Sequence, residues 1–314
     1  MDRKPVSVKS YANIAIVKYW GKADAERMIP STSSISLTLE NMYTETKLSF
    51  LPEDATGDVM YIDDELQGEK ETTKASKVLD LFRTNPNQHV KIETWNNMPT
   101  AAGLSSSSSG LSALVKAANE LFQVGKTQSE LAQIAKFASG SSSRSFFGPL
   151  AAWDKDNGEV YQVETDLKLA MIMLVLTDQK KPVSSRDGMK LCTETSTSFP
   201  EWIKQSEQDY KDMLGYLKTN DFQAVGELTE ANALRMHQTT STANPPFSYL
   251  TDASYQAMDK VKALRASGEQ CYFTMDAGPN VKVLCLEEDL DRLADHFRKD
   301  YQVIVSHTKE LPDA

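Results

Sequence analysis

At 314 residues the chain is long enough for one large domain or two closely packed lobes with a sizeable core. Its 34 Lys and Arg against 44 Asp and Glu give a net charge of −10, which argues against a general nucleic-acid or anionic-membrane binder. Cys192, Cys271 and Cys285 are widely spaced, which fits reduced core thiols better than a disulfide framework. No apolar run reaches membrane-spanning length, so we expect a cytoplasmic protein that acts on small molecules.

The N-terminal segment, residues 6–20, alternates apolar and polar side chains and predicts a strand. Asn13, Tyr19 and Lys22 stand among its polar positions or just after it. Taken singly, each is more simply an outward-facing strand residue. Taken together, they could place an amide, a phenol and a cation around one anionic ligand.

The next stretch of the chain predicts two strands and a surface segment. Residues 34–40 alternate in the same way, and residues 44–50 are expected to return beside them. The acidic, turn-rich residues 52–71 predict a surface excursion that contains a short strand at 59–62. Residues 73–83 then predict a helix.

Residues 99–110 form a loop of proline, glycine and serine between a predicted strand at 90–94 and an apolar helix that runs to Phe122. A loop of small residues that opens onto a helix presents unpaired backbone N–H groups and the positive end of the helix dipole. Such a junction predicts a phosphate-binding loop, and its hydroxyls could add a Mg²⁺ ligand. The alternative is an ordinary Gly/Ser loop.

A second candidate phosphate motif, Gly125-Lys126-Thr127, fails as a Walker A sequence because Glu120 occupies the required glycine position. Thr127 is better explained as a helix cap. Glu130 would complete a capping box before the next apolar helix.

Two further polar turns are candidate anion sites. Residues 138–145 are serine-rich and contain Arg144, whose planar guanidinium suits a carboxylate or phosphate. The apolar run 169–176 predicts a buried strand that ends in a segment with Lys180, Lys181 and Arg186. We take this segment as the join between two lobes.

The rest of the chain is helical first and extended later, so the fold class is α+β. Helices are predicted over residues 200–218, 222–236, 249–266 and 287–297, and strands over 271–275, 281–285 and 303–305. Asp276 begins the sequence Asp-Ala-Gly-Pro-Asn, a composition typical of a turn. On composition alone, Asp276 is therefore a turn residue by default.

Five segments in this order resemble the mevalonate diphosphate decarboxylase family of the GHMP kinase superfamily, across nearly the whole chain. They are Tyr19-Trp20-Gly21-Lys22, the loop from Pro99, the turn from Ser139 to Arg144, Ser185-Arg186-Asp187-Gly188-Met189 and Met275-Asp276-Ala277-Gly278-Pro279-Asn280. The phosphate loop indicates the superfamily, and the Tyr-Trp-Gly-Lys and Met-Asp-Ala-Gly-Pro-Asn segments indicate the decarboxylases. One position differs from the usual Gly or Ala, and it holds Ser105.

The resemblance implies a GHMP-kinase-like two-lobed fold. The N-terminal ribosomal-S5-like lobe would span residues 1–183, and a C-terminal ferredoxin-like lobe, residues 184–314, would carry the catalytic aspartate, with the active site in the cleft between them. It also implies an ATP- and Mg²⁺-dependent decarboxylation of (R)-5-diphosphomevalonate to isopentenyl diphosphate, in a homodimer that binds neither nucleic acid nor membrane.

The resemblance also assigns roles to residues. Asp276, Arg144 and Lys22 would be catalytic, with Asp276 at the substrate 3-hydroxyl and Arg144 on its carboxylate. The substrate would contact Asn13, Tyr19, Lys22, Ser139, Ser141, Arg144, Ser185, Arg186, Asp276 and Ala277. ATP would contact Pro99, Ala101, Ala102, Gly103, Leu104, Ser105, Ser106, Ser107, Ser108 and Lys181, with Ser106 as the Mg²⁺ ligand.

Two alternatives stay open. The chain could be a GHMP kinase that phosphorylates a mevalonate-like hydroxyl without decarboxylation, although Arg144 together with Asp276 favours decarboxylation. It could also be an inactive member of the superfamily that acts as a metabolite-binding protein. Retention of Asp276, Arg144, Lys22 and the phosphate loop argues against this second alternative.

Overall fold

Alternating and continuous apolar runs fold into two β-sheets, which a computed structural model describes over residues 4–98, 106–177 and 183–311. The described strands are β1 (Val6–Val17), β2 (Lys22–Asp24), β3 (Ile29–Pro30), β4 (Ser34–Phe50), β5 (Val59–Ile62), β6 (Glu65–Leu66), β7 (Val90–Asn96), β8 (Leu150–Trp153), β9 (Val160–Gln162), β10 (Leu169–Val175), β11 (Tyr272–Met275), β12 (Val281–Leu286) and β13 (Gln302–His307). The described α-helices are α1 (Glu69–Leu79), α2 (Ser106–Phe122), α3 (Gln128–Ala138), α4 (Ser185–Thr195), α5 (Phe199–Lys218), α6 (Phe222–Ser241), α7 (Asp252–Ala266) and α8 (Leu290–Arg298).

The first sheet has the order β6-β5-β7-β4-β8-β9, with β1 also pairing along β4. The second sheet has the order β11-β12-β10-β13, and β2 and β3 form a separate hairpin. Strand β10 precedes residue 183, where the sequence analysis placed the end of the first lobe, yet it pairs with β12 and β13. By hydrogen bonding it therefore belongs to the second sheet.

One hydrophobic core joins the two sheets. Leu37 of β4, Met171 of β10 and Met213 of α5 lie in the same buried cluster. On the opposite face of the first sheet, α2 and α3 pack through an apolar stripe that includes Leu114 and Leu131. The expectation that the two parts of the chain pack tightly together is thus confirmed, because apolar side chains from both sheets exclude water jointly.

Several predicted elements are confirmed and others differ. The apolar helix after the serine loop is α2, and Thr127 and Glu130 form the predicted capping box at the start of α3. The two strands predicted at 34–40 and 44–50 are one strand, β4, because β1 pairs along both halves across a register shift. The helix predicted at 73–83 is α1, which begins at Glu69 because Gly68 caps it and acidic residues favour its first turn.

The segment after β10 contains a helix that the sequence analysis did not predict. Helix α4 begins at Ser185, and the Ser184 side chain accepts a hydrogen bond from the Asp187 N–H as its N-cap. The serine-rich turn around Arg144 is a 3₁₀-helix, Gly140–Phe146.

In the described ranges, no helix combines the length and the apolar character needed to cross a membrane.

Candidate active site

Arg144 lies on the 3₁₀-helix that follows α3, with only 3% of its surface exposed. Its Nε donates to Ser36 Oγ at 3.0 Å and its Nη1 donates to Ser34 Oγ at 2.7 Å, both on β4. Its Nη2 donates to Asn13 Oδ1 at 3.3 Å. The guanidinium fork is therefore held in one orientation by neutral acceptors.

No ion pair among the described residues involves Arg144, and this makes the buried guanidinium unusual. Burial lowers the pKa of Arg144 to about 10, while Tyr19 and Asp276 oppose that effect by favouring the charged form. A buried cation without an acidic partner carries an uncompensated desolvation cost. An anionic ligand would remove that cost, which makes this position a candidate carboxylate or phosphate site.

Asn13 links Arg144 to the sheet. Its Nδ2 donates to the Ser141 backbone oxygen at 2.9 Å and to Ser145 Oγ at 2.8 Å, while its Oδ1 accepts from Arg144. The register between β1 and β4 shifts between Tyr11 and Asn13. Such a shift re-aims side chains relative to the regular alternation, which brings Asn13 to the 3₁₀-helix.

Tyr19 packs against the same 3₁₀-helix and against Trp153, with ring centroids 5.1 Å apart. A Cβ at Gly140 would lie 2.9 Å from both rings, so only glycine allows this close approach. Burial raises the pKa of Tyr19 to about 12, although Arg144 and Arg186 favour its ionised form. The phenol therefore stays protonated and can donate a hydrogen bond.

Asp276 lies in the turn between β11 and β12, as its sequence predicted. Its backbone oxygen accepts from the Gly278 N–H at 2.8 Å. At the other end of the turn, Asn280 Oδ1 accepts from the Leu176 N–H at 2.7 Å, and Ser254 Oγ donates to the Pro279 oxygen at 2.6 Å. These bonds to α7 and to the end of β10 fix the turn.

Two lysines hold the Asp276 carboxylate. Lys18 Nζ lies 2.8 Å from Oδ1 and Lys282 Nζ lies 3.2 Å from Oδ2. Burial would raise the pKa of Asp276, but Lys18 and Lys282 outweigh it and hold that pKa well below its usual range. The Asp276 side chain keeps 23% exposure, whereas the two lysines keep 2% and 0%. The carboxylate is therefore the member of this cluster that a ligand can reach.

The surroundings of the Asp276 cluster are also buried. Burial lowers the pKa of Lys18 to about 8, against the attraction of Asp276. His237 of α6 is buried as well, and burial, reinforced by the Lys18 charge, lowers its pKa to about 4. Since His237 is then neutral at pH 7, it adds no charge to the cluster.

The remaining predicted substrate residues lie around these two centres. Lys22 Nζ donates to Met28 Sδ at 3.3 Å, and burial, with the nearby charge of Arg186, lowers the pKa of Lys22. Arg186 is exposed on α4, directly after Ser185. Lys22 and Arg186 therefore add positive charge near Tyr19.

Ser139, Ser141 and Ala277 complete the set. The hydroxyls of Ser139 and Ser141 lie 3.2 Å apart at the start of the 3₁₀-helix. Ala277 packs with Trp20 and Met189 in a small buried cluster beside Asp276. The predicted residues for which a position is described thus come from both sheets and from α4.

Most of the predicted phosphate loop, Pro99 to Ser105, lies outside the described residues, as does Lys181. The described part begins at Ser106, the first residue of α2. Ser107 is exposed in the first turn, Ser108 is buried, and Ser109 Oγ lies 2.7 Å from Thr44 Oγ1 on β4. This bond fixes the start of α2 against the first sheet.

A Mg²⁺ site built from protein side chains alone is absent from the described ranges, which contain no cluster of three or more His, Cys, Asp or Glu able to hold a metal. Magnesium is commonly bound through substrate phosphates, waters and one or two protein oxygens. Serine hydroxyls at the start of α2 fit that mode of binding. The donor set therefore fits a metal that arrives with a nucleotide.

The sequence analysis missed several residues of the site. Lys282 sits in an alternating strand sequence at a position that normally faces solvent, and Lys18 lies on the apolar face of the predicted strand 6–20, where a lysine is seldom buried. Ser34 and Ser36 are ordinary strand serines until Arg144 reaches them. A weak signal existed for Lys282, since Val281 and Val283 flank it only six residues after Asp276.

Comparisons with known proteins cover both parts of the chain. Residues 10–163 match the family model described as diphosphomevalonate decarboxylase-like N-terminal domain. Residues 171–312 match the model described as mevalonate 5-diphosphate decarboxylase C-terminal domain. The second model thus begins within β10, the strand that pairs in the second sheet.

Individual relatives carry the same enzyme name as the two family models. The diphosphomevalonate decarboxylase of Candida albicans is 30% identical over 98% of this chain and 92% of its own length. The structure of mevalonate pyrophosphate decarboxylase from Streptococcus pyogenes is 67% identical, with a TM-score of 0.97 over 100% of this chain and 99% of that one. A solved complex of MDDEF with MVAPP, AMPPCP and magnesium is 40% identical, with a TM-score of 0.90 over 98% of each chain.

Proposed function

The chain belongs to the diphosphomevalonate decarboxylase family, and from that membership we infer that it catalyses the ATP-dependent decarboxylation of (R)-5-diphosphomevalonate. ATP phosphorylates the tertiary 3-hydroxyl. Phosphate then leaves as the neighbouring carboxylate loses CO₂, giving isopentenyl diphosphate and ADP. Such a site must position two substrates and then stabilise positive charge that develops at C3.

The observation that carries the proposal is the proximity of two opposite charges that form no ion pair with each other. A buried guanidinium without an acidic partner lies close enough to the lysine-bound carboxylate of Asp276 for the two charges to interact. We propose that Arg144 binds the substrate carboxylate and that Asp276 faces the 3-hydroxyl. Arg144 together with Asp276 favours decarboxylation over phosphorylation alone, because the clamp would fix the carboxylate beside C3.

Asp276 could accept the hydroxyl proton or orient the hydroxyl and stabilise the developing cation. Two ammonium groups on one carboxylate make it a weak proton acceptor. This favours orientation and electrostatic stabilisation as its main contribution. Asn13 is proposed to lie near the reacting hydroxyl through its contact with Arg144.

The diphosphate end of the substrate needs cations and hydroxyls, and the residues around Tyr19 supply them. We propose that the substrate chain and diphosphate contact Tyr19, Lys22, Ser139, Ser141, Ser185, Arg186 and Ala277. Lys22 and Arg186 supply the charge, because neither forms an ion pair with an acidic side chain among the described residues.

ATP and Mg²⁺ are assigned to the start of α2. We propose that the residues from Pro99 to Ser108, with Lys181, bind the nucleotide phosphates, and that Ser106 contributes to Mg²⁺ binding. Magnesium, when bound with the nucleotide, neutralises phosphate charge during transfer. The complex of a relative with AMPPCP and magnesium supports ATP and Mg²⁺ as the ligands.

We also propose a cytoplasmic homodimer whose two lobes divide before β10. Three buried, unpaired cysteines fit a reducing compartment. The division is supported by the pairing of β10 within the second sheet and by the limits of the two family models. The dimer rests on resemblance to the family, and light scattering of the purified protein would test it.

The activity is tested by incubating the protein with Mg²⁺, ATP and (R)-5-diphosphomevalonate and measuring ADP and CO₂ in the same sample. Equal amounts of both products are expected. ADP without CO₂ would identify a kinase instead, and the absence of both would favour the inactive metabolite-binding alternative.

A further inference from the structure

Lys18 follows the last residue of β1, and a contact with α6 sets its position. Its backbone N–H donates to Asn232 Oδ1 at 2.8 Å, across 214 residues of sequence. Its Nζ donates to the Ala15 oxygen at 2.7 Å and to Asp276 Oδ1 at 2.8 Å. The position of the Lys18 backbone therefore determines where its ammonium meets Asp276.

Asn232 is itself held by a buried acid. Its Nδ2 donates to Asp209 Oδ2 at 2.8 Å, and Asp209 also pairs with Arg235 and accepts from Gln205 Nε2 at 3.1 Å. Asp209 is 1% exposed and Asn232 is 0% exposed. A buried carboxylate with several polar partners in a helix is costly unless its hydrogen bonds are satisfied, as they are here.

The chemistry of these contacts fixes the orientation of the Asn232 side-chain amide. An ionised carboxylate accepts hydrogen bonds and cannot donate them, so Asp209 requires the NH₂ group of Asn232. The amide oxygen of Asn232 must then point the other way, towards the Lys18 N–H. Asp209 thus selects the amide orientation that accepts from the backbone of Lys18.

We propose that Asp209 and Asn232 are positioning residues for the reaction, because they hold Lys18 so that its ammonium contacts Asp276. The proposal rests on the proposed role of Asp276 in the same site. Neither residue touches substrate, and both act through Lys18. Outer residues that orient metal ligands change activity by about 10-fold to 100-fold when removed, and we expect an effect of the same order here.

The test compares Asn232→Leu with Thr229→Val, a buried α6 control one turn away whose hydroxyl donates to the Val225 backbone oxygen. Asn232→Leu is expected to lower kcat by roughly 10-fold to 100-fold with little change in the KM for ATP. Thr229→Val should keep its kcat. Asp209→Asn serves as a second variant, because an amide at position 209 can also donate and so permits the Asn232 amide to turn its oxygen away from the Lys18 N–H.

Two readouts separate positioning from a loss of stability. Displacing the Lys18 ammonium raises the pKa of Asp276, so the acidic limb of the kcat/KM profile should move to higher pH in Asn232→Leu. A double-mutant cycle with Lys18→Met should be non-additive, because both changes remove the same contact. Additive effects, or a lower Tm with an unmoved pH profile, would overturn the proposal.

The outcomes also distinguish this proposal from the proposed function. If Lys18→Met and Asp276→Asn both retain normal turnover, the proposed role of Asp276 fails. If those two variants lose activity while Asn232→Leu and Asp209→Asn keep it, the positioning role alone fails.

Discussion

Arg144, which is buried, and Asp276, which is partly exposed, are charged residues of the proposed site whose surroundings differ. Arg144 is surrounded by two serine hydroxyls and an amide, all of them neutral. Asp276 lies between two ammonium groups. Arg144 thus has its orientation fixed and its charge uncompensated, whereas Asp276 has its charge compensated before any ligand binds.

This difference indicates how each centre is used. A cation held by neutral groups gains most from an incoming anion, so Arg144 is suited to substrate binding. A carboxylate held by two lysines keeps its charge at neutral pH and in a partly closed site, so Asp276 is suited to act on charge that develops during the reaction. The predictions below test that contrast, from the largest expected effect to the smallest.

Removal of the Asp276 charge should have the largest effect. In Asp276→Asn, the two lysines face a neutral amide, and the stabilisation of positive charge is lost. We expect kcat to fall by about 10³-fold or more while binding of an ATP analogue stays largely intact. Turnover measured by CO₂ release and nucleotide affinity measured by calorimetry provide the check. Substantial residual turnover would contradict the role of Asp276.

Substitution of Arg144 should have the next largest effect. Lysine at this position keeps the charge but cannot contact Ser34, Ser36 and Asn13 at once, so the cation loses its fixed orientation. We expect kcat/KM for the mevalonate substrate to fall by roughly 100-fold, or about 3 kcal/mol of transition-state stabilisation. Arg298→Lys is the matched control, because Arg298 is an exposed arginine that pairs with Asp295.

The pH profile should respond to the second lysine. Lys282→Met replaces a fully buried ammonium by an apolar side chain of similar length. Because Lys282 helps to hold the pKa of Asp276 low, its loss raises that pKa. An acidic limb of kcat/KM that reports Asp276 should therefore move to higher pH. An unmoved limb would show that Asp276 does not titrate in the reaction.

The smallest effect is expected at the neutral partners of Arg144. Ser36→Ala removes one acceptor and leaves the charge in place. A single hydrogen bond of this kind contributes about 0.5–1.5 kcal/mol, so kcat/KM should fall by roughly 2-fold to 10-fold. Thr46→Ala on the same strand, bonded to Thr94 at 3.0 Å, is the control. A loss as large as that of Arg144→Lys would mean that Ser36 contacts substrate itself.

Local sequence was sufficient for much of this protein. Apolar periodicity predicted α2, and Thr127 with Glu130 predicted the start of α3, because helical spacing and capping depend on neighbouring residues. Composition predicted the turn at Asp276. Resemblance to the family assigned Arg144 and Asp276 to one site, and that assignment stays a prediction.

The partners of those residues were decided by tertiary structure alone. Lys18 and Asp276 are 258 residues apart, and Arg144 and Ser34 are 110 apart. In sequence, alternation assigns Lys282 to solvent, whereas Lys18 shares the apolar face of Ile14 and Ile16 but is a residue type that is seldom buried. Both lysines are buried because a carboxylate from a distant turn compensates their charge, and no local pattern records which distant segment supplies that partner.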